Sequence, residues 1–130
     1  MLNSVVKAAL VVLLAGPLAF PVMAFASQNQ KKQVRHIVVF KYKAGTTPEQ
    51  IAEVTRAFRA LAKTIPGITG FEDGVNNSPE KRNLGFTHVY MVTFEDATAR
   101  DAYLPHPEHK KFGQLLGKLG VVEDVFVVDF

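Results

Sequence analysis

Four histidines and one tyrosine are the side chains through which this 130-residue chain can move protons: His36, His88, His106, His109 and Tyr103. An imidazole titrates near neutrality and can take or give a proton there. A phenol, with an ordinary pKa near 10, stays protonated and donates a hydrogen bond. Three of the five fall in the segment Tyr103-Leu-Pro-His-Pro-Glu-His109. Prolines on both sides of His106 fold the chain there, which lets Tyr103 and His109 converge on one cavity mouth. His106 itself, followed by Pro107 at a first helical position and by Glu108, reads as a helix entrance. Metal catalysis is not expected. The last two histidines lack the four-residue helical spacing of metalloproteases, and no acidic residue alternates with His36 or His88. Cysteine is absent, which excludes thiolate nucleophiles, zinc–thiolate sites, iron–sulfur clusters and disulfides.

Positioning these groups falls to strands and helices that the sequence marks clearly. Residues 34–43 alternate, with His36, Val38, Phe40 and Tyr42 on one face and Ile37 and Val39 on the other. Thr47-Pro48-Glu49-Gln50 is a capping box that opens a helix whose stripe is Ile51, Val54, Phe58, Leu61 and Ile65; Pro66-Gly67 stops it. A weaker strand covers 68–76. Residues 86–95 alternate most cleanly, with Phe86, His88, Tyr90, Val92 and Phe94 on one face. Asp96 caps a short helix through Tyr103, and a second helix carries Phe112, Leu115, Leu116 and Leu119. Residues 121–130 close the chain as a strand, with Val122, Phe126, Val128 and Phe130 opposed to Val121, Val125 and Val127.

The order strand, helix, strand, strand, helix pair, strand predicts an α+β, ferredoxin-like βαββαβ domain with an antiparallel four-stranded sheet. His36 and His88 then sit on neighbouring strands beside Phe40 and Tyr90. They are either core histidines, each bonded to backbone or a tyrosine, or parts of a site. Helices cover one sheet face only. The other, expected to carry Ile37, Val39, Val89, Met91, Val125 and Val127, predicts a homodimer packed sheet against sheet.

Composition divides at residue 26. Residues 1–26 hold 20 apolar residues and a single charge, Lys7, and end in Ala24-Phe25-Ala26. This predicts a secretory signal cleaved before Ser27, with the mature protein periplasmic or secreted and the membrane touched only by the leader. Residues 27–33 are polar and read as a flexible lead-in. The remaining 104 residues carry 14 Lys+Arg against 12 Asp+Glu. That is one domain with no basic stripe, so a second catalytic domain is excluded and no nucleic-acid partner is expected.

Residues 34–130 resemble the stress-responsive α/β-barrel, or Dabb, domain family. The resemblance is carried by the run 35–43, by Thr87-His88 with the strand ending at Glu95, by the 103–109 segment with Phe112, and by the terminal Val-Val-Asp-Phe130. It implies ferredoxin-like subunits paired into a dimeric α/β barrel. One plant branch consists of cofactor-independent polyketide cyclases; that similarity implies Tyr103 and His109 as the acting pair, with His36 and His88 lining the pocket. Some plant members hold a cation on backbone carbonyls, implying Ala62, Ile65 and Ile68 here. The resulting expectation is cofactor-free acid–base chemistry on a partly apolar carbonyl compound. His109 serves as base and Tyr103 as donor, and the side chains of His36, His88, Phe40 and Tyr90 hold the substrate. The alternatives are a non-catalytic stress-responsive dimer that binds a small hydrophobic ligand, and a cofactor-free monooxygenase.

Overall fold

The computed structural model describes residues 31–130; the expected leader, residues 1–26, and residues 27–30 lie outside the described residues. In chain order the elements are β1 (Val34–Tyr42), α1 (Pro48–Thr64), β2 (Ile68–Val75), β3 (His88–Phe94), α2 (Ala97–Tyr103), α3 (Pro107–Leu119) and β4 (Val122–Asp129). The strands form one antiparallel sheet in the order β2-β3-β1-β4, the ferredoxin-like arrangement expected from the sequence. Among the described residues no helix is long and apolar enough to cross a membrane.

Local chemistry sets the helix ends. The Gln50 backbone N–H donates to the Thr47 hydroxyl at 3.2 Å while the Gln50 side chain accepts from the Thr47 N–H at 2.9 Å, closing the capping box of α1. Pro66 ends that helix, and Gly67 turns the chain at φ +84°. A Cβ at Gly67 would stand 2.5 Å from the Cβ of Ala99, so backbone and packing both require glycine there. Asp96 caps α2 by accepting from the Ala99 N–H at 2.8 Å. His106 caps α3, its Nδ1 accepting from the Glu108 N–H at 3.1 Å, which accounts for this histidine without any catalytic role.

The core lies between the sheet and the helices. Val38 and Phe40 of β1 and Tyr90, Val92 and Phe94 of β3 meet Val54, Phe58 and Leu61 of α1, Tyr103 of α2 and Phe112 of α3. Each such side chain contributes on the order of 2 kcal/mol by leaving water.

Two expectations about faces are corrected. Phe86 does not belong to β3, which begins at His88; its ring lies 6.5 Å from that of Phe126, on the opposite side of the sheet. In β4 the register sets Asp129 opposite His36, Val127 opposite Val38 and Val125 opposite Phe40. Directly opposed residues share a face, so Val125 and Val127 are on the helix side, and Phe126 and Val128 join Ile37 and Val39 on the bare face. Both alternating sets of β4 are apolar, and only register could assign them. The register also shifts between Lys41 and Tyr42, bringing Val122 to the helix side. Because the helices stop short of edge strand β4, Val125 and Val127 remain exposed even there.

Candidate functional site

A cavity of about 290 Å³ opens where α2 and α3 meet the edge of the sheet. Its walls are mostly apolar, formed by Val38, Phe40, Phe58, Phe112, Leu116, Val125 and Val127, and three polar side chains interrupt them: His36, Tyr103 and His109. Tyr103 ends α2 and His109 lies in the first turn of α3, so the two-proline link between these helices sets their spacing. The ring centroids are 4.2 Å apart at 31°, the convergence expected from the sequence.

Tyr103 is 0% exposed, and its hydroxyl has no hydrogen-bond partner among the described residues. Burial pushes that hydroxyl above the ordinary phenol range, so it remains protonated and able to donate. The Nδ1 of His109 lies 3.0 Å from the Leu104 carbonyl. A carbonyl only accepts, so Nδ1 carries the hydrogen and the neutral ring keeps its lone pair on Nε2.

His36 reaches the same cavity from β1, its ring edge-on to Tyr103 at 5.8 Å. Its Nδ1 stands 2.6 Å from Asp129 Oδ1, and the other carboxylate oxygen of Asp129 pairs with the guanidinium of Arg100. Burial acts to raise the Asp129 carboxyl, but the hydrogen bonds from His36 and Arg100 outweigh it and hold the group below its ordinary value. Asp129 and Arg100 did not stand out in the sequence. The available signal was an acid ending an apolar strand, but its partner depends on the β1–β4 register.

His88 and Tyr90 are not brought into this cavity. His36 is opposite Val92 and His88 opposite Phe40, a displacement of four residues along β1, or about 13 Å. His88 instead faces a second concavity with Thr55, Arg56 and Val75, its ring edge-on to Tyr42 at 4.9 Å and its Nδ1 2.9 Å from the Thr87 hydroxyl. Burial lowers its pKa. The Tyr90 hydroxyl lies 2.8 Å from that of Thr55 and 3.1 Å from that of Tyr42, so it is fully engaged. Of the six expected side chains, His36, Phe40, Tyr103 and His109 therefore line one cavity.

Ala62 lies in the last turn of α1, Ile65 is its C-cap and Ile68 opens β2. The helical partner of the Ala62 carbonyl would be the amide of residue 66, which is proline and has no N–H to donate. Among the described residues no three His, Asp or Glu side chains gather to hold a metal.

A ferredoxin-like α+β domain with a ligand-sized cavity between sheet and helices is the class that these features define. The chain belongs to the stress responsive A/B barrel domain family, whose model matches residues 34–130. The stress-response A/B barrel domain-containing protein HS1 of Arabidopsis thaliana is 31% identical over 103 residues, 79% of this chain and 93% of that protein. Olivetolic acid cyclase of Cannabis sativa is 30% identical over 82 residues, 63% of this chain and 81% of the enzyme. Hydroxynitrile lyase from Passiflora edulis superposes with a TM-score of 0.68 at 26% identity, covering 75% of this chain and 92% of that one. A dimeric ferredoxin-like protein of unknown function from Jannaschia sp. CCS1 does so with a TM-score of 0.64 at 28% identity, covering 76% and 98%.

Proposed function

We propose that the protein is an exported homodimer whose cavity carries out cofactor-independent acid–base chemistry, cyclase- or lyase-like, on a small, partly apolar carbonyl compound. The observation that carries this reading is a buried tyrosine hydroxyl with no partner among the described residues, beside a histidine whose tautomer is fixed. His109 Nε2 removes a proton and becomes imidazolium: from the carbon next to a carbonyl, so that the enolate attacks a second carbonyl of the same molecule, or from a cyanohydrin hydroxyl, so that the C–CN bond breaks as the carbonyl forms and cyanide leaves to take that proton back as hydrogen cyanide. The Tyr103 O–H donates to the oxygen on which negative charge develops, and the proton held by His109 returns to the product. The apolar walls exclude water and strengthen both interactions. Two of the similar proteins are by name a cyclase and a lyase, which supports the class without giving the substrate.

A cyanohydrin of benzaldehyde and a linear tricarbonyl compound serve as probes. Turnover of either is expected, with His109→Ala and Tyr103→Phe each lowering kcat on the order of 100-fold while circular dichroism is unchanged. Full activity in both variants overturns the proposal. The mostly apolar lining favours a second reading, a non-catalytic site for a small hydrophobic ligand. Native mass spectrometry of protein from its source, finding a retained ligand with no turnover of either probe, would select it.

Dimerisation through the bare sheet face is supported by its side chains: Phe126 is 54% and Val128 42% exposed, beside Ile37, Val39, Val89 and Met91. Sedimentation at micromolar concentration is expected to show a dimer that Phe126→Asp dissociates; a wild-type monomer contradicts it. Export predicts a mature N-terminus at Ser27, and recovery of protein beginning at Met1 removes that part of the reading.

A further inference from the structure

His36 is 6% exposed and yet forms part of the cavity wall. A carboxylate 2.6 Å from Nδ1 can only accept, so Nδ1 carries the hydrogen and the neutral ring presents its lone pair at Nε2. A bond to His36 alone would leave Asp129 free to rotate, because it sits at the end of an edge strand with its side chain partly exposed. Arg100, from α2, takes the second carboxylate oxygen, and its own Nε is held by Asp101 at 2.8 Å. The carboxylate is thus fixed from two sides, and it fixes the imidazole.

The cavity's polar groups divide into two acceptors and one donor. His109 and His36 both have Nδ1 committed to the protein and Nε2 left as acceptor, and Tyr103, whose ring touches both, supplies one donor. A simple ketone accepts from the tyrosine but brings no donor to either histidine. A buried acceptor without a donor weakens binding, so the site favours a ligand that brings one.

We propose that Asp129, clamped by Arg100, fixes His36 as a second hydrogen-bond acceptor of the cavity, so that the ligand selected is a hydroxy-carbonyl compound rather than a simple ketone or aldehyde. Asp129 and Arg100 are positioning residues. The inference rests on the cavity being the ligand site, as in the proposed function, but not on any turnover there.

The test reads the tautomers directly. In protein with ¹⁵N-labelled histidine, proton–nitrogen correlation at about pH 8, above the ordinary imidazole range, is expected to show His36 as the Nδ1–H form. Asp129→Ala moves it to the Nε2–H form that free side chains favour, and Arg100→Gln gives a mixture. His109, tied to the Leu104 carbonyl, keeps its Nδ1–H form in both and reports that the fold is intact. Acetophenone and 3-hydroxyacetophenone are the ligand probes: wild type is expected to bind the hydroxy ketone about tenfold more tightly, and Asp129→Ala to lose that preference. A wild-type His36 in the Nε2–H form, an unchanged tautomer in both variants, or the absence of any preference between the ketones overturns the inference. A protein that meets these expectations but turns over no substrate refutes the proposed catalysis and leaves this inference standing.

Discussion

Tyr90 and Tyr103 are buried in one core, 1% and 0% exposed, and both project from the regular elements that enclose it. Tyr90 has two hydroxyl partners, from Thr55 on α1 and Tyr42 on β1, while Tyr103 has none among the described residues. Both burials remove similar apolar area from water, but only the first also satisfies the polar atom that goes in with the ring. The engaged hydroxyl ties α1 to the sheet. The unengaged one belongs to a residue of the cavity wall and, in the proposed function, is completed by a ligand. Local stability has been given up where a substrate oxygen is expected, as at sites built to bind something.

Substitutions that treat the two rings alike should therefore act in opposite directions. The largest effect is expected from Tyr90→Phe, which strands the hydroxyls of Thr55 and Tyr42: a loss of about 1–3 kcal/mol in urea unfolding with turnover largely retained. Tyr103→Phe deletes an unpaired donor and is expected to gain about 1 kcal/mol while binding and turnover collapse; a stability loss equal to that of Tyr90→Phe would erase the distinction. The smallest effect concerns the engaged side of the core. Burial lowers the pKa of His88, so the unfolded chain takes up a proton at higher pH than the folded one. Stability is then unaffected above the ordinary histidine range and falls as pH drops through about 6.5. His88→Gln should shrink the difference in urea midpoint between about pH 7.5 and 5.5; an unchanged difference would show that other groups produce it.

What the sequence made legible follows the strength of the local signals. The capping box at Thr47, the Pro66-Gly67 stop and the alternation through His88 and Tyr90 each arise from neighbours in the chain, and they placed every element and the topology. The spacing from Tyr103 to His109 was legible for the same reason, since two prolines and a helix start determine it. The position of β4 against β1 was not. Its alternating sets are both apolar, and a register shift at Lys41/Tyr42 undoes simple parity, so Val125 and Val127 were assigned to the wrong face and the pairing of Asp129 with His36 was invisible. Parity did put His36 and His88 on the same face correctly, but it carries no information on distance along the strands. Four residues of displacement separate them into two concavities.

The contact between His36 and Asp129 spans 93 positions of the chain. The strand that carries His36 is hydrogen-bonded to β3 and β4, both of which come much later in the chain, so its pairing in the sheet waits for them. Such long-range closure slows folding and couples it to completion of the chain. A fragment lacking the final ten residues would retain Tyr103 and His109 in sequence and still lack the strand that completes the cavity wall. Without β4 the wall that Val125 and Val127 form is missing, so Tyr103 and His109 alone do not make the pocket.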